Sequence, residues 1–259
     1  MVTVREIYDV MDVIAPFRSA LDWDNVGLLV GDWEQKVLKV LLSLDFTEQV
    51  VEEAAELHAE LIISHHPVIF NAVKTIVRED SSSHIPYLLA RKNISAICAH
   101  TNLDVADGGV NDVLAGLLGL ENIKKMEDQI NRDVELFRMG RQKESMDVLQ
   151  FAESVKNRLH CGVVRVADAG RPVHQVAVCG GAGSFLLNEV IKSGADTFVT
   201  ADVKHHEFIE AKQRKINLLD AGHFATENGI VVVLAKRLSA AFRETEFIVS
   251  KNQNPVLFV

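Results

Sequence analysis

Cysteine is scarce in this 259-residue chain: Cys98, Cys161 and Cys179 are odd in number and contain no CxxC pair. That argues against a disulfide scaffold and a thiolate zinc knuckle, and it points to a reducing, cytoplasmic compartment. Proline is low at 5 residues, glycine stands at 15, and no low-complexity tract occurs, so a disordered or fibrous chain is excluded. Apolar runs are short. The longest, such as GIVVVLA (229–235), fall well below the ~20 residues a membrane span needs, so no membrane partner is expected. The opening MVTVREIYDV carries Arg5, Glu6 and Asp9 where a secretory signal would need apolar residues. Basic charge is in deficit, with 27 Lys and Arg against 36 Asp and Glu and a net charge of −9. A nucleic-acid partner needs a basic face to displace counterions from phosphates, and it is therefore disfavoured. GxSxG elbows, Walker loops and catalytic-cysteine arrangements are missing too.

What remains is an average soluble composition, 48% hydrophobic and 24% charged, with a clear alternation. VLKVLLSLD (37–45) predicts a buried strand, TEQVVEEAAELHA (47–59) a helix, and ELIISHHP (60–67) a second strand. IPYLLARKN (85–93) is helical, ISAICAH (94–100) a strand and GVNDVLAGLLGL (109–120) a helix. The second half predicts strands at 173–181, 195–202 and 216–222, helices at 184–194 and 205–215, a final helix from about residue 226 to 238, and a strand-like tail. This is an α/β pattern of βαβ units with mainly parallel or mixed sheets.

The halves overlay. At an offset of 136, Val37, Val40, Glu53, Ala59, Glu60 and Ile63 fall on Val173, Val176, Glu189, Ala195, Asp196 and Val199. At an offset of 123, His100 and Asp104 fall on His223 and Glu227. The expectation is two related α/β lobes, 1–125 and 126–259, with the C-terminal segment 222–259 a candidate to pack with the first. Residues 121–172 carry the weakest pattern, and the division is placed near 121–135.

The 10 histidines cluster. His65 and His66 follow a strand and precede Pro67, which cannot continue the ladder. His100 with Asp104, and His223 with Glu227, follow other strands, each pair spaced to share one face of a helical turn. Ligands of open α/β sheets gather at strand carboxyl ends, so three strand ends each deliver potential metal ligands. Imidazole nitrogen and carboxylate oxygen suit Zn, Mn, Fe, Co or Ni rather than Ca. Adjacent histidines project in different directions, which favours two ions over one. The competing reading is a surface pair satisfied by hydrogen bonds. His100 is read as orienting a ligand or the Asp104 turn, with direct ligation the alternative. Asp202, His205 and His206 either line the same region or cap the following helix. Gly180-Gly-Ala-Gly183 opens a helix as a phosphate cradle would, but Leu186 breaks GxGxxG, and a tight turn is the simpler reading. Trp23-Asp-Asn-Val-Gly27 reads as a turn.

SHHPVIF (64–70), AHTNLDVADGGVND (99–112), CGGAGSF (179–185), TADVKHH (200–206), GHFATE (222–227) and DWDNVGLLVGD (22–32) closely resemble the NGG-one-interacting-factor-three-like family. The resemblance runs from about residue 3 to the C-terminus and matches the family's short form, without an inserted mid-chain domain. Bacterial members are often labelled GTP cyclohydrolase I type 2 homologues. The resemblance implies two interlocked α/β lobes, a toroidal homohexamer, and a dinuclear metal site in the cleft between lobes. It implies His65, His66, Asp104, His223 and Glu227 as ligands of two divalent cations, with the Glu227 carboxylate touching both. Two functions follow as expectations: a metal-dependent, cyclohydrolase-like hydrolase of an unidentified small molecule, or a metal-binding regulatory, scaffold or metal-handling protein without turnover.

Overall fold

A computed structural model describes residues 1–126 and 132–259. The chain divides into two compact units, one of Met1–Asp107 with Ile230–Gln253, the other of Gly108–Gly229 with Asn254–Val259. No helix among the described residues is long and apolar enough to cross a membrane.

The first unit carries a five-stranded sheet in the order Glu246–Val249, Lys39–Ser43, Leu61–Ser64, Ser95–Cys98, Gly27–Val30. Its first four strands run parallel and Gly27–Val30 closes the edge antiparallel. Every residue of Leu61–Ser64 and Ser95–Cys98 is buried, as strands covered on both faces must be, which is why their apolar runs are continuous rather than alternating. Helix Glu48–Leu57 begins at Thr47, whose side chain accepts the Val50 N–H, and ends at His58 in the left-handed conformation. It packs Val50, Val51 and Ala54 against Leu41 and Ile62 together with helix His84–Lys92, which contributes Leu88 and Leu89.

The second unit carries a six-stranded mixed sheet: Glu121–Lys125, Arg138–Met146, Val173–Val178, Thr197–Thr200, Asn217–Asp220, Arg165–Ala167. Its three central-to-late strands, from Val173–Val178 through Asn217–Asp220, are parallel, and the remaining pairings are antiparallel. Each unit thus contains three parallel strands in chain order followed by an antiparallel neighbour. The α/β alternation read from the sequence holds, and the sheets are mixed. The expected helix over 184–194 is a 3-10 turn, Ser184–Leu186, leading into Leu187–Lys192. The expected final helix is two helices, His223–Glu227 and Gly229–Ala241.

Among its described residues, the weakly patterned 121–172 holds three antiparallel strands and helix Val148–Leu159. Asp147 caps that helix through the Leu149 N–H, and His160 ends it in the left-handed region. Val148, Phe151, Ala152, Val155 and Leu159 face the core of the second unit, against Val173, Val176 and Leu219. Phe151 is 1% exposed. Phe151→Ala should therefore cost about 3–5 kcal/mol through lost burial and the cavity left behind, read as a fall in the urea midpoint with an unchanged slope.

Candidate functional site

In the first unit the strand ends are level: Ser43 pairs with Ser64, and Ser64 with Cys98. The chain emerging from these three ends carries Asp45, His65 with His66, and His100. His65 is 3% exposed, and its Nδ1 lies 2.9 Å from the Ala99 carbonyl oxygen. A carbonyl only accepts, so Nδ1 carries the proton and donates. His66 Nδ1 meets Asp45 Oδ1 at 2.6 Å, and His100 Nδ1 meets Asp24 Oδ1 at 2.9 Å. With Nδ1 committed as donor, a neutral imidazole presents Nε2 as a lone-pair ligand. The ligand-capable atoms of His65, His66 and His100 all lie within 4.8 Å of one another.

Asp104 sits in the five-residue helix Thr101–Val105, and its Oδ1 lies 3.6 Å from His65 Nε2. Two electron-pair donors facing one another at that distance are spaced like neighbouring ligands of one cation. Bonds of ~2.1 Å at a tetrahedral centre put adjacent ligands about 3.4 Å apart.

The second unit repeats the device. His223 and Glu227 belong to helix His223–Glu227, which follows strand Asn217–Asp220. His223 Nδ1 meets Asp202 Oδ2 at 2.7 Å, while His223 Nε2 lies 3.2 Å from Glu227 Oε2. Glu227 is 4% exposed, and burying a carboxylate needs a compensating charge or hydrogen bonds. These groups are chemically suited to hold metal ions.

Asp202 orients His223 and does not cap a helix; the Lys204 N–H at that helix start donates instead to Glu207 Oε2 at 2.6 Å. Asp202 itself has φ +54, a left-handed conformation that Asp tolerates better than most residues. His205 and His206 are exposed in the first turn of helix His205–Gln213, and neither joins a group of three or more ligand-capable side chains among the described residues.

The glycine segment is a turn whose three glycine amides are already used. Gly180 N–H donates to Asn111 Oδ1 at 2.7 Å, Gly181 N–H to Thr226 Oγ1 at 3.0 Å, and Gly183 N–H to Thr200 Oγ1 at 2.9 Å. Gly181 has φ +61, and a Cβ there would overlap Glu227 Oε1 and stand 3.1 Å from His223 Nε2. Glycine is what lets the backbone approach the carboxylate.

Asp24 and Asp45 were not singled out as site residues by sequence reasoning. The available signal was position: Asp45 lies just beyond the strand that neighbours the His65 strand, and Asp24 stands in the motif DWDNVGLLVGD. Burial pushes the Asp24 carboxyl up, but hydrogen bonds from His100 and Thr101, together with the His100 charge, outweigh it and bring it down to about 2. Cys98 is poorly suited as a nucleophile, since burial, opposed by hydrogen bonds from Ser64 and Val68, pushes its thiol up to about 12.

Two outcomes follow. Because the folded Asp24 sits below its ordinary 3.8, its contribution to stability is present above that pH and is lost as pH falls towards 2. The difference in unfolding free energy between wild type and Asp24→Asn should be constant near neutrality and shrink below about pH 4, measured by urea titration at each pH. Gly181→Ala should cost about 1–2 kcal/mol from the left-handed backbone alone and displace Glu227 in addition, read as a fall in the urea midpoint.

Comparison with known proteins finds relatives across the whole chain. A Clostridium perfringens protein named GTP cyclohydrolase 1 type 2 homolog is 32% identical over 260 residues, covering 99% of both chains. A Campylobacter jejuni protein of the same name is 34% identical over 96% of this chain and 97% of its own. The crystal structure of a Bacillus cereus protein related to NIF3 superposes with a TM-score of 0.92 at 25% identity, covering 100% of this chain and 99% of that one. The model of the Duf34/NIF3 (NGG1p interacting factor 3) family matches residues 2–255, and the chain belongs to that family.

Proposed function

We propose that His65, His66 and Asp104, together with His223 and Glu227, hold two divalent cations, and that the pair serves a hydrolase-like site. The observation that carries this reading is the repeated pairing of an imidazole Nε2 with a carboxylate oxygen, His65 with Asp104 at 3.6 Å and His223 with Glu227 at 3.2 Å. In each pair Nδ1 is committed to a different acceptor. Glu227 is the bridging carboxylate in this reading, and its burial supports that role. The ions, drawn from Zn, Mn, Fe, Co or Ni, would supply Lewis acidity that lowers the pKa of water and polarises a carbonyl or phosphoryl oxygen.

The chain's own residues would do the positioning. Asp45, Asp202 and the Ala99 carbonyl hold three imidazoles in one tautomer and one orientation, and Asp24 does the same for His100. Gly181 leaves room for the Glu227 carboxylate. The cyclohydrolase activity in the relatives' names is the first reaction to try, and assembly as a homohexamer is part of the same proposal. A metal-binding protein that regulates or handles metal without turnover is the second reading, favoured if the loaded protein turns over nothing.

Imidazoles must be neutral to ligate, and their ordinary pKa is about 6.5. Protons compete with metal below that value, and several ligands protonate together, so release should be steep. Mass-spectrometric metal content between pH 5 and 8 should show this for wild type. Glu227→Ala should lose metal most completely, because two cations are left repelling each other, while His205→Ala should retain it. A His205→Ala protein as empty as Glu227→Ala would overturn the ligand set. Metal-dependent turnover of GTP, phosphoesters or cyclic amides that Glu227→Ala abolishes would decide for the enzyme.

A further inference from the structure

We propose that Trp23 and Phe70 form a stacking platform that presents a planar heteroaromatic ring to the His65/His66/His100 group, and thereby select the class of ligand. The proposal rests on the reading of that group as part of a metal site and extends it to substrate class. Trp23 is 59% exposed and Phe70 52% exposed, although both belong to loops that the surrounding hydrogen bonds hold firmly. Asp24 accepts from the Thr101 N–H at 3.0 Å, from Thr101 Oγ1 at 2.5 Å and from His100 Nδ1. Asn25 Nδ2 donates to the Ile69 carbonyl at 2.6 Å. The residues that follow Trp23 and the one before Phe70 are thereby fixed to each other and to the start of the Thr101–Val105 helix.

The result is a corner of three rings. Trp23 and Phe70 lie 5.9 Å apart at an interplanar angle of 50°, and they stand 6.0 and 6.3 Å from His100, both roughly edge-on to it. Large aromatic faces kept in water next to a polar cluster retain hydrophobic and quadrupolar binding energy for a ligand. Two faces tilted by 50° let one flat ring stack on one and meet the other edge-on, a geometry an aliphatic ligand does not exploit. The two exposed rings are flanked in sequence by Asp22 and Asn71, which are exposed and polar. A stable protein interface needs roughly 800 Å² per partner with an apolar centre, so a small planar molecule is the fitting occupant. This also gives the DWDN segment a role that a turn alone does not explain.

The two tryptophans can be separated. A Trp33→Phe background leaves Trp23 as the sole tryptophan. In the metal-loaded full chain, titration with guanosine and with quinoline should quench Trp23 emission saturably, and cyclohexylmethanol should not. Phe70→Leu should weaken both planar probes about tenfold, Phe70→Tyr should restore them, and metal content should stay at the wild-type level in each variant. Equal affinity for the planar and saturated probes, or no loss in Phe70→Leu, would overturn the platform. So would a fall in sedimentation coefficient in Trp23→Leu and Phe70→Leu, which would make the two rings a contact between copies of the chain. Ring binding that depends on Phe70 in a protein that takes up no metal would leave the platform standing and remove the metal reading. Full metal uptake without ring binding would do the reverse.

Discussion

The hydrogen bond at Nδ1 is the constraint on which the site depends. An imidazole with Nδ1 unheld rotates and changes tautomer, and it then donates from either nitrogen. Here His65 is held by a backbone carbonyl and His66, His100 and His223 by carboxylates, which fixes the orientation of all four rings. The sheets make this possible. Ser43, Ser64 and Cys98 end level in one, and Thr200 pairs with Asp220 in the other, so an acid and a histidine leave neighbouring strands within reach of each other. A one-residue slip in these parallel ladders would carry Asp45 away from His66 and Asp202 away from His223.

Burial decides how strongly that geometry is held. His65 and Glu227 are nearly inaccessible, while His223 and Asp202 remain partly open to water. Buried ligands resist reorientation, and their charges need a partner in a medium of low dielectric. Gly180 and Gly181 belong to this balance, because their amides are spent on Asn111 and Thr226 and their missing side chains leave space for Glu227. A motif resembling a phosphate cradle is used instead to seat a carboxylate.

The parts of the fold legible in the sequence were those whose strands are buried on both faces. Leu61–Ser64, Ser95–Cys98, Thr197–Thr200 and Asn217–Asp220 are buried at every residue, and each lies in a short, mostly apolar stretch that follows a helical one. Strand Arg138–Met146 was not legible, because most of its residues beyond Gly140 are exposed or half-buried and polar, and its partners supply the pattern. Helix Val148–Leu159 did carry helical spacing, in Val148, Phe151, Ala152, Val155 and Leu159, but it sits in a charged neighbourhood that obscured it. Histidine and acid pairs were visible as site candidates because their spacing is local. Asp24 and Asp45 act on histidines 76 and 21 residues away, and only the sheet register brings them there.

The internal resemblance shows the same limit from another side. His100 and His223 follow the third parallel strand of their units, and each starts or immediately precedes a five-residue helix with an acid four positions later. In the second unit the histidine and acid face each other, His223 against Glu227. In the first, Asp104 instead faces His65, and His100 turns its Nδ1 to Asp24 beside the exposed Trp23. Equivalent positions have therefore taken different work, because the first unit places two histidines after its middle strand where the second has Ala201 and Asp202. With His65 already beside Asp104, His100 is released to join the aromatic corner. Each unit thus carries one carboxylate–imidazole pair, and the first carries a further imidazole beside two exposed rings.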